Sequence, residues 1–373
     1  MEFLILSSFG EVMSYIGYIL LAILILLIMI TVHELGHYIA GKIFKFGIDE
    51  FAIGFGPKLF SKTRKSGEVF SVRLFPVGGF CAFKGEDKDS EDPSAFNNKK
   101  PWQRIIVLIS GALMNYILAL FMIMLMFGIY GQTTLMTYKT SPTSEFSQEY
   151  CLQDRDVLLS ANGKSVYLTT DLMDAVSGKE KGEEVVFTVI RDGKTVDVSV
   201  KMRTDTHFKN VEDVQKLFDA LGIYYELDGD GAMVNAGLYS TGVKHGFFKT
   251  LGMSFEYSFK LAGTIFTVIG QLITGALGIN SLGGTVTTIS VTANAIRIGG
   301  MRYFLNMLSF IGVNLAVFNL LPIPALDGAR VVFTGIEWVR RKPVSRRVEG
   351  LIHAIGLVVL LLFSVLVDIG QCV

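Results

Sequence analysis

The sequence predicts a polytopic α-helical membrane protein with four transmembrane helices, an inserted extracytoplasmic α/β domain and a cytoplasmic, membrane-associated β-hairpin. Three observations predict it. Half of the 373 residues are hydrophobic and the mean hydropathy is +0.47. Four segments are long and apolar enough to cross a bilayer. Between the second and third of them the pattern changes from apolar runs to alternation. The formal net charge is zero, so composition gives no argument for nucleic acid or an acidic partner. Cys81, Cys151 and Cys372 are scattered and odd in number, and offer neither a disulfide framework nor a Cys-rich metal site. No cleavable signal peptide is expected, because the first apolar run is too long and no basic region precedes it.

The elements follow in order. Residues 1–46 hold a first span over about Val12–Ile30, which runs on into HELGH at 33–37. Residues 47–103 form a loop in which EVFSVRLFPVGGF (68–80) alternates Phe70, Val72 and Leu74 before a Gly-rich end. It reads as a hairpin with Phe51–Phe60 whose edge strand can pair with an extended peptide, making Phe75, Gly78 and Gly79 candidate substrate contacts. The second span, Ile105–Tyr130, lies within 104–131. In 132–205, Asn162-Gly163 and Asp192-Gly193 each separate two β-prone runs, a hairpin signal because both turn positions want positive φ. Between them TTDLMDAVSG reads as a short helix. Residues 206–302 form a linker, unassigned over Thr206–His245. Beyond it Phe247–Leu277 carries Lys249, Glu256 and Lys260 at near-helical spacing, as an amphipathic helix on the membrane surface would. The third span, Tyr303–Leu321, lies within 303–328 and ends in NLLPIPALDG. A basic loop (329–349) leads to the fourth, Leu351–Val367, within 350–373.

Charge orients these spans. Twelve Lys and Arg fall between the first two, from Lys42 to Arg104, and six between the last two, whereas the first 11 and last nine residues have none. The positive-inside rule makes both basic loops cytoplasmic, and both termini and the insert extracytoplasmic.

The chemistry sits in HELGH. His33 and His37 are four apart, on one helical face, where both imidazoles can reach one zinc ion, and Glu34 on the same turn can take a proton from water there. Ionisable groups in a membrane are costly unless they are partnered or functional. A third ligand is required. Glu86, Asp87 and Asp89 in the basic loop are candidates. Asp327 is a stronger one, because the charge rule brings it to the same face of the membrane as HELGH. Pro322 and Pro324 break the third helix just before it. Asn319, on the last turn before the break, can hold neighbouring helices together or donate to a substrate. Asn115 faces the same choice, with the structural role ahead.

These motifs resemble the site-2 proteases, intramembrane zinc metalloproteases, and most of all their bacterial RseP-type branch. The resemblance runs in order through HELGH, FPVGGF (75–80), SGALMN (110–115), LITGALGINSLGG (272–284) and NLLPIPALDG (319–328). It implies one zinc ion held by His33, His37 and Asp327, Glu34 as general base and Asn319 as a supporting polar residue. It implies a single circularly permuted PDZ-like insert and a membrane-dipping sheet. It also implies a bacterial cytoplasmic membrane, the active site toward the cytoplasm, and a monomer. Its substrates would be single-span proteins already shortened outside, such as anti-sigma factors, or remnant signal peptides. There are departures: Ser110-Gly111-Ala112 stands for AGP, Leu326-Asp327-Gly328-Ala329 for LDGG and Gly283-Gly284-Thr285 for SGP. Cys151-Leu152-Gln153-Asp154-Arg155-Asp156 stands for GLxxGD, which argues for a steric filter over a peptide-carboxylate binder. Two other readings are a transporter or channel with a metal or proton site, and a non-catalytic receptor. The first lacks a repeat relating the two halves; the second is disfavoured by a complete set of His33, Glu34, His37 and Asp327.

Overall fold

A computed structural model describes residues 9–86, 90–141, 145–208, 213–229, 233–278 and 282–370. Asp87, Asp89, Cys372 and positions 279–281 lie outside these residues. The described helices are α1 Phe9–Ile43, α2 Pro101–Tyr130, α3 Thr169–Val176, α4 Val214–Leu221, α5 Phe247–Thr274, α6 Thr285–Leu320, α7 Asp327–Arg340 and α8 Arg346–Gly370. The strands are β1 Ile48–Thr63, β2 Val69–Phe83, β3 Gln132–Thr137, β4 Val157–Ala161, β5 Lys164–Ser165, β6 Glu184–Arg191, β7 Lys194–Lys201, β8 Tyr225–Leu227, β9 Met233–Ala236 and β10 Leu238–Val243. The chain divides into two compact units, one of 1–123, 258–268 and 278–373, the other of 124–257 and 269–277.

Among the described residues four helices are long and apolar enough to cross a membrane: α1, α2, α6 and α8. In the first unit Ile25 and Met29 of α1 pack with Ile296 and Leu308 of α6. Gly312 lets α6 come close, since a Cβ there would stand 2.9 Å from that of Ala119. The third span is longer than Tyr303–Leu321. α6 begins at Thr285, and Gly300, at φ 58° and ψ −143°, interrupts its helical dihedrals. Its first half carries Thr287, Thr288, Asn294 and Arg297, which conceal it from a hydropathy reading. The far end of α8 caps this half: Asp368 accepts the Val286 and Thr287 backbone N–H groups, each at 3.0 Å. α6 stops at Leu320, as Pro322 and Pro324 require. The next segment is not the loop expected over 329–349 but α7, whose Val331 packs against the Phe46, Phe83 and Phe96 cluster.

The expected hairpin is a curled sheet of four segments. Residues 50–53 of β1 pair on one side with 79–82 and on the other with 69–72, while 58–63 pair with 69–73. Gly54 and Gly56 bend β1, and Gly78, at φ 111°, bends β2. Glu50 ties three of the segments together, accepting from Ser71 Oγ (2.5 Å) and Arg73 Nη2 (2.8 Å) and pairing with Lys58 Nζ (3.1 Å). Burial alone would raise the Glu50 carboxyl, but the Ser71, Arg73 and Lys58 contacts outweigh it and hold it below the usual carboxylate range.

In the second unit the strand order is β10-β3-β4-β6-β7, with β5 paired to β4. Both turns form as the dipeptides predict, Asn162 and Asp192 taking φ of 48° and 51°. Asp171 fastens the start of α3 by accepting the Tyr167 and Leu168 N–H groups at 2.7 and 2.9 Å. The core joins Leu158, Leu172, Phe187 and Val200 to Leu217 and Phe218 of α4. The sheet therefore extends past the expected boundary at 205: α4 and β10 come from the stretch left unassigned, and β10 pairs with β3 along Leu238–Val243. Arg155 adopts φ 68°, a left-handed conformation that glycine takes at less cost. α5 departs from the surface helix expected of it in one respect. Glu256 is not presented on a charged outer face but accepts from the buried Tyr167 hydroxyl at 3.0 Å, and the exposed residues include Phe248, Phe259 and Phe266.

Candidate metal centre

His33 and His37 project from adjacent turns of α1, and the break after α6 returns Asp327 to them. His33 Nε2 lies 2.9 Å and His37 Nε2 3.3 Å from Asp327 Oδ2, and the two Nε2 atoms are 3.1 Å apart. Both imidazoles are buried, 7% and 6% exposed. His37 Nδ1 is 2.8 Å from the Val107 carbonyl oxygen. A carbonyl only accepts, so Nδ1 carries the hydrogen and Nε2 turns a lone pair inward. Three electron-rich atoms this close repel one another unless a cation or proton sits among them. Two imidazole nitrogens and one carboxylate oxygen form the donor set that holds a catalytic zinc with one position left for water. These three residues could hold a metal ion, and they fit zinc. Glu86 serves elsewhere: its carboxylate contacts Arg330 and accepts the Phe83 N–H at 3.3 Å.

Two glycines that sequence reasoning passed over make the centre possible. A Cβ on Gly36 would lie 2.3 Å from the Ser110 carbonyl oxygen, so α1 meets the backbone of α2 directly. A Cβ on Gly111 would lie 2.4 Å from His37 Nε2 and 2.8 Å from His33 Cε1, in the space the imidazoles occupy. The available signal was small residues inside apolar helices, where close packing uses them.

The Asp327 loop is held from α8. Ala325, at φ 81°, donates its N–H to His353 Nδ1 at 3.0 Å, and Gly356 leaves room for Pro324, whose Cβ an added side chain would meet at 2.4 Å. Gly328 sits under the carbonyls of Leu320 and Leu321, where a Cβ would come within 2.4 Å. Neither His353 nor Gly356 was legible as part of the site. His353, Arg330 and the Arg104–Glu337 ion pair (2.7 Å) line a polar cavity of about 270 Å³ that includes none of the three donors.

The remaining sequence candidates divide. Asn115 Nδ2 and Asn319 Nδ2 both face His33 Nδ1, at 3.4 and 3.3 Å. Gly79 brings β2 against Glu34: a Cβ there would stand 3.6 Å from Glu34 Cγ. Gly78 instead accommodates the Phe55 ring, and Phe75 is 56% exposed, so the structure does not bring these two to the donors.

Residues 21–363 match peptidase family M50. Two relatives, each provisionally named a zinc metalloprotease, are alike along nearly their whole length. That of Clostridium perfringens is 32% identical, covering 95% of this chain and 98% of its own. That of Fusobacterium nucleatum is 30% identical, covering 94% and 97%. A third with the same provisional name, from Mesorhizobium japonicum, is 26% identical over 94% of this chain and 96% of its own.

Proposed function

Since the chain belongs to peptidase family M50, the site-2 proteases, and is therefore a zinc metalloprotease, we propose that it hydrolyses peptide bonds within transmembrane segments of single-span proteins. The observation that carries this reading is the meeting of His33 and His37 from one apolar helix, α1, with Asp327 from just beyond the break that ends a second, α6, and with Glu34 on the same turn as His33. His33, His37 and Asp327 would hold the zinc, which when bound would supply Lewis-acid chemistry for a water and the scissile carbonyl. Glu34 takes the proton of that water and returns it to the departing amine. Asn319, partly exposed, donates to the substrate carbonyl as charge develops on it.

A transmembrane helix hides its backbone in its own hydrogen bonds, so it must unwind to be cut. Residues 79–82 of β2 pair on one side only, with β1, among the described residues, and Gly79 lies close to Glu34. An unwound substrate adds to their other edge as a further strand. The basic loops place this chemistry toward the cytoplasm and the sheet unit outside, where it screens substrates by size. Substrates already shortened outside, anti-sigma factors or remnant signal peptides, meet that condition, and the enzyme acts as a monomer in a bacterial cytoplasmic membrane.

The test is zinc content together with cleavage of a model single-span substrate. Glu34→Gln should keep the metal and lose cleavage, and Asp327→Asn should lose both. Cleavage persisting in Glu34→Gln would overturn the protease assignment of these residues.

A further inference from the structure

Asn115 is completely buried on α2, and its side-chain oxygen Oδ1 has no hydrogen-bond partner, while its nitrogen faces His33 Nδ1 at 3.4 Å. That arrangement strands a buried acceptor, which is unfavourable in an interior. Amide oxygen and nitrogen are interchangeable by a half-turn of the side chain. The imidazole decides which way round is right. His33 turns Nε2 toward Asp327 and His37, so as a metal ligand it must be neutral with its hydrogen on Nδ1. Nδ1–H needs an acceptor, and an amide N–H cannot provide one.

We infer that Asn115 turns its carbonyl oxygen to His33 Nδ1–H and thereby fixes the tautomer and ring angle in which His33 holds the metal. One half-turn satisfies both the stranded Oδ1 and the Nδ1 hydrogen. It makes the two histidines equivalent: His37 donates Nδ1–H to the Val107 carbonyl, and His33 donates to Asn115, both acceptors belonging to α2. The same argument separates the two asparagines. Nδ1 has one hydrogen, so once Asn115 accepts it Asn319 has no role there, and its amide is left to face the substrate. Asn115 is thus a positioning residue, neither the plain interhelical contact nor the substrate donor between which the sequence leaves it.

The inference rests on the zinc assignment above, so its test starts from that one. In purified full-length protein, zinc affinity is measured by competition with a chromophoric chelator for the wild type, Asp327→Asn, Asn115→Leu, Asn115→Asp and Asn319→Leu. Loss of an outer partner of a metal-bound histidine lowers affinity about 10- to 100-fold. Asn115→Leu should fall in that range, whereas Asn115→Asp, which restores an acceptor, should stay within a few-fold of the wild type. Asn319→Leu should keep its zinc and lose cleavage. Wild-type affinity in Asn115→Leu overturns the inference. Equal loss in Asn115→Leu and Asn115→Asp also overturns it, since a packing role alone would suffer from either change. Undiminished zinc in Asp327→Asn would defeat the assignment of the metal centre itself, a result separable from both.

Discussion

In the helical unit Gly36 and Gly111 lie in ordinary helical backbone, and an added Cβ would strike a carbonyl of α2 or the imidazoles of α1. In the sheet unit Gly163 and Gly193 stand in open space, but at φ of 75° and 76°. One pair is needed for the volume it leaves empty, the other for the dihedrals it permits. The same substitution should therefore abolish chemistry in one region and only weaken folding in the other.

The largest effect tests the first half of that contrast. Gly111→Ala should displace His33 and His37 and cut substrate cleavage by about 100-fold or more, the scale of an ångström's misplacement, with zinc content falling in parallel. Cleavage within a few-fold of the wild type would show that the helices part without cost. Next comes Glu50, where charge rather than space shapes part of the helical unit. Glu50→Gln should destabilise the curled sheet by about 1–3 kcal/mol, read as faster amide exchange in 69–73. Because the Glu50 carboxyl sits below its ordinary range when folded, its stabilisation is present above the unfolded value of about 4.3 and is lost as pH falls through the lower folded one. Protection of that segment should thus drop on acidification in the wild type and not in the Gln variant. Gly193→Ala should cost about 1 kcal/mol of stability in the sheet unit and leave zinc unchanged, and a change in metal content would break the comparison. The smallest effect runs the other way: Arg155→Gly should relieve a left-handed arginine and stabilise the sheet unit by about 0.5 kcal/mol, read as a slightly higher melting temperature.

Much of this architecture was legible because membranes and metals both limit what a chain can do. Apolar length marked α1, α2 and α8, and spacing in HELGH marked His33, Glu34 and His37. Asp327 followed from charge asymmetry and the two prolines, and the Asn-Gly and Asp-Gly dipeptides marked the turns of β4–β5 and β6–β7. What escaped depends on contacts between residues far apart in the chain. The first half of α6 is too polar to look like a span, and it closes on Asp368 more than 80 positions away. Strand β10 has no alternation of its own and is defined by pairing with β3. The parts played by Gly111 and His353 exist only once α2 and α8 have come beside α1 and the Asp327 loop.

Helix α8 supplies no metal donor, yet it is fastened at both ends. Near its start His353 and Gly356 grip the loop that presents Asp327, and near its finish Asp368 and Ser364 seat the opening turn of α6, Thr285 Oγ1 lying 3.1 Å from Ser364 Oγ. It works as a splint across a broken helix. Heat or harsh detergent that peels this splint away would let the metal go while the rest of the molecule keeps its shape, so inactivation by zinc loss should precede melting, at the temperature where one helix comes off.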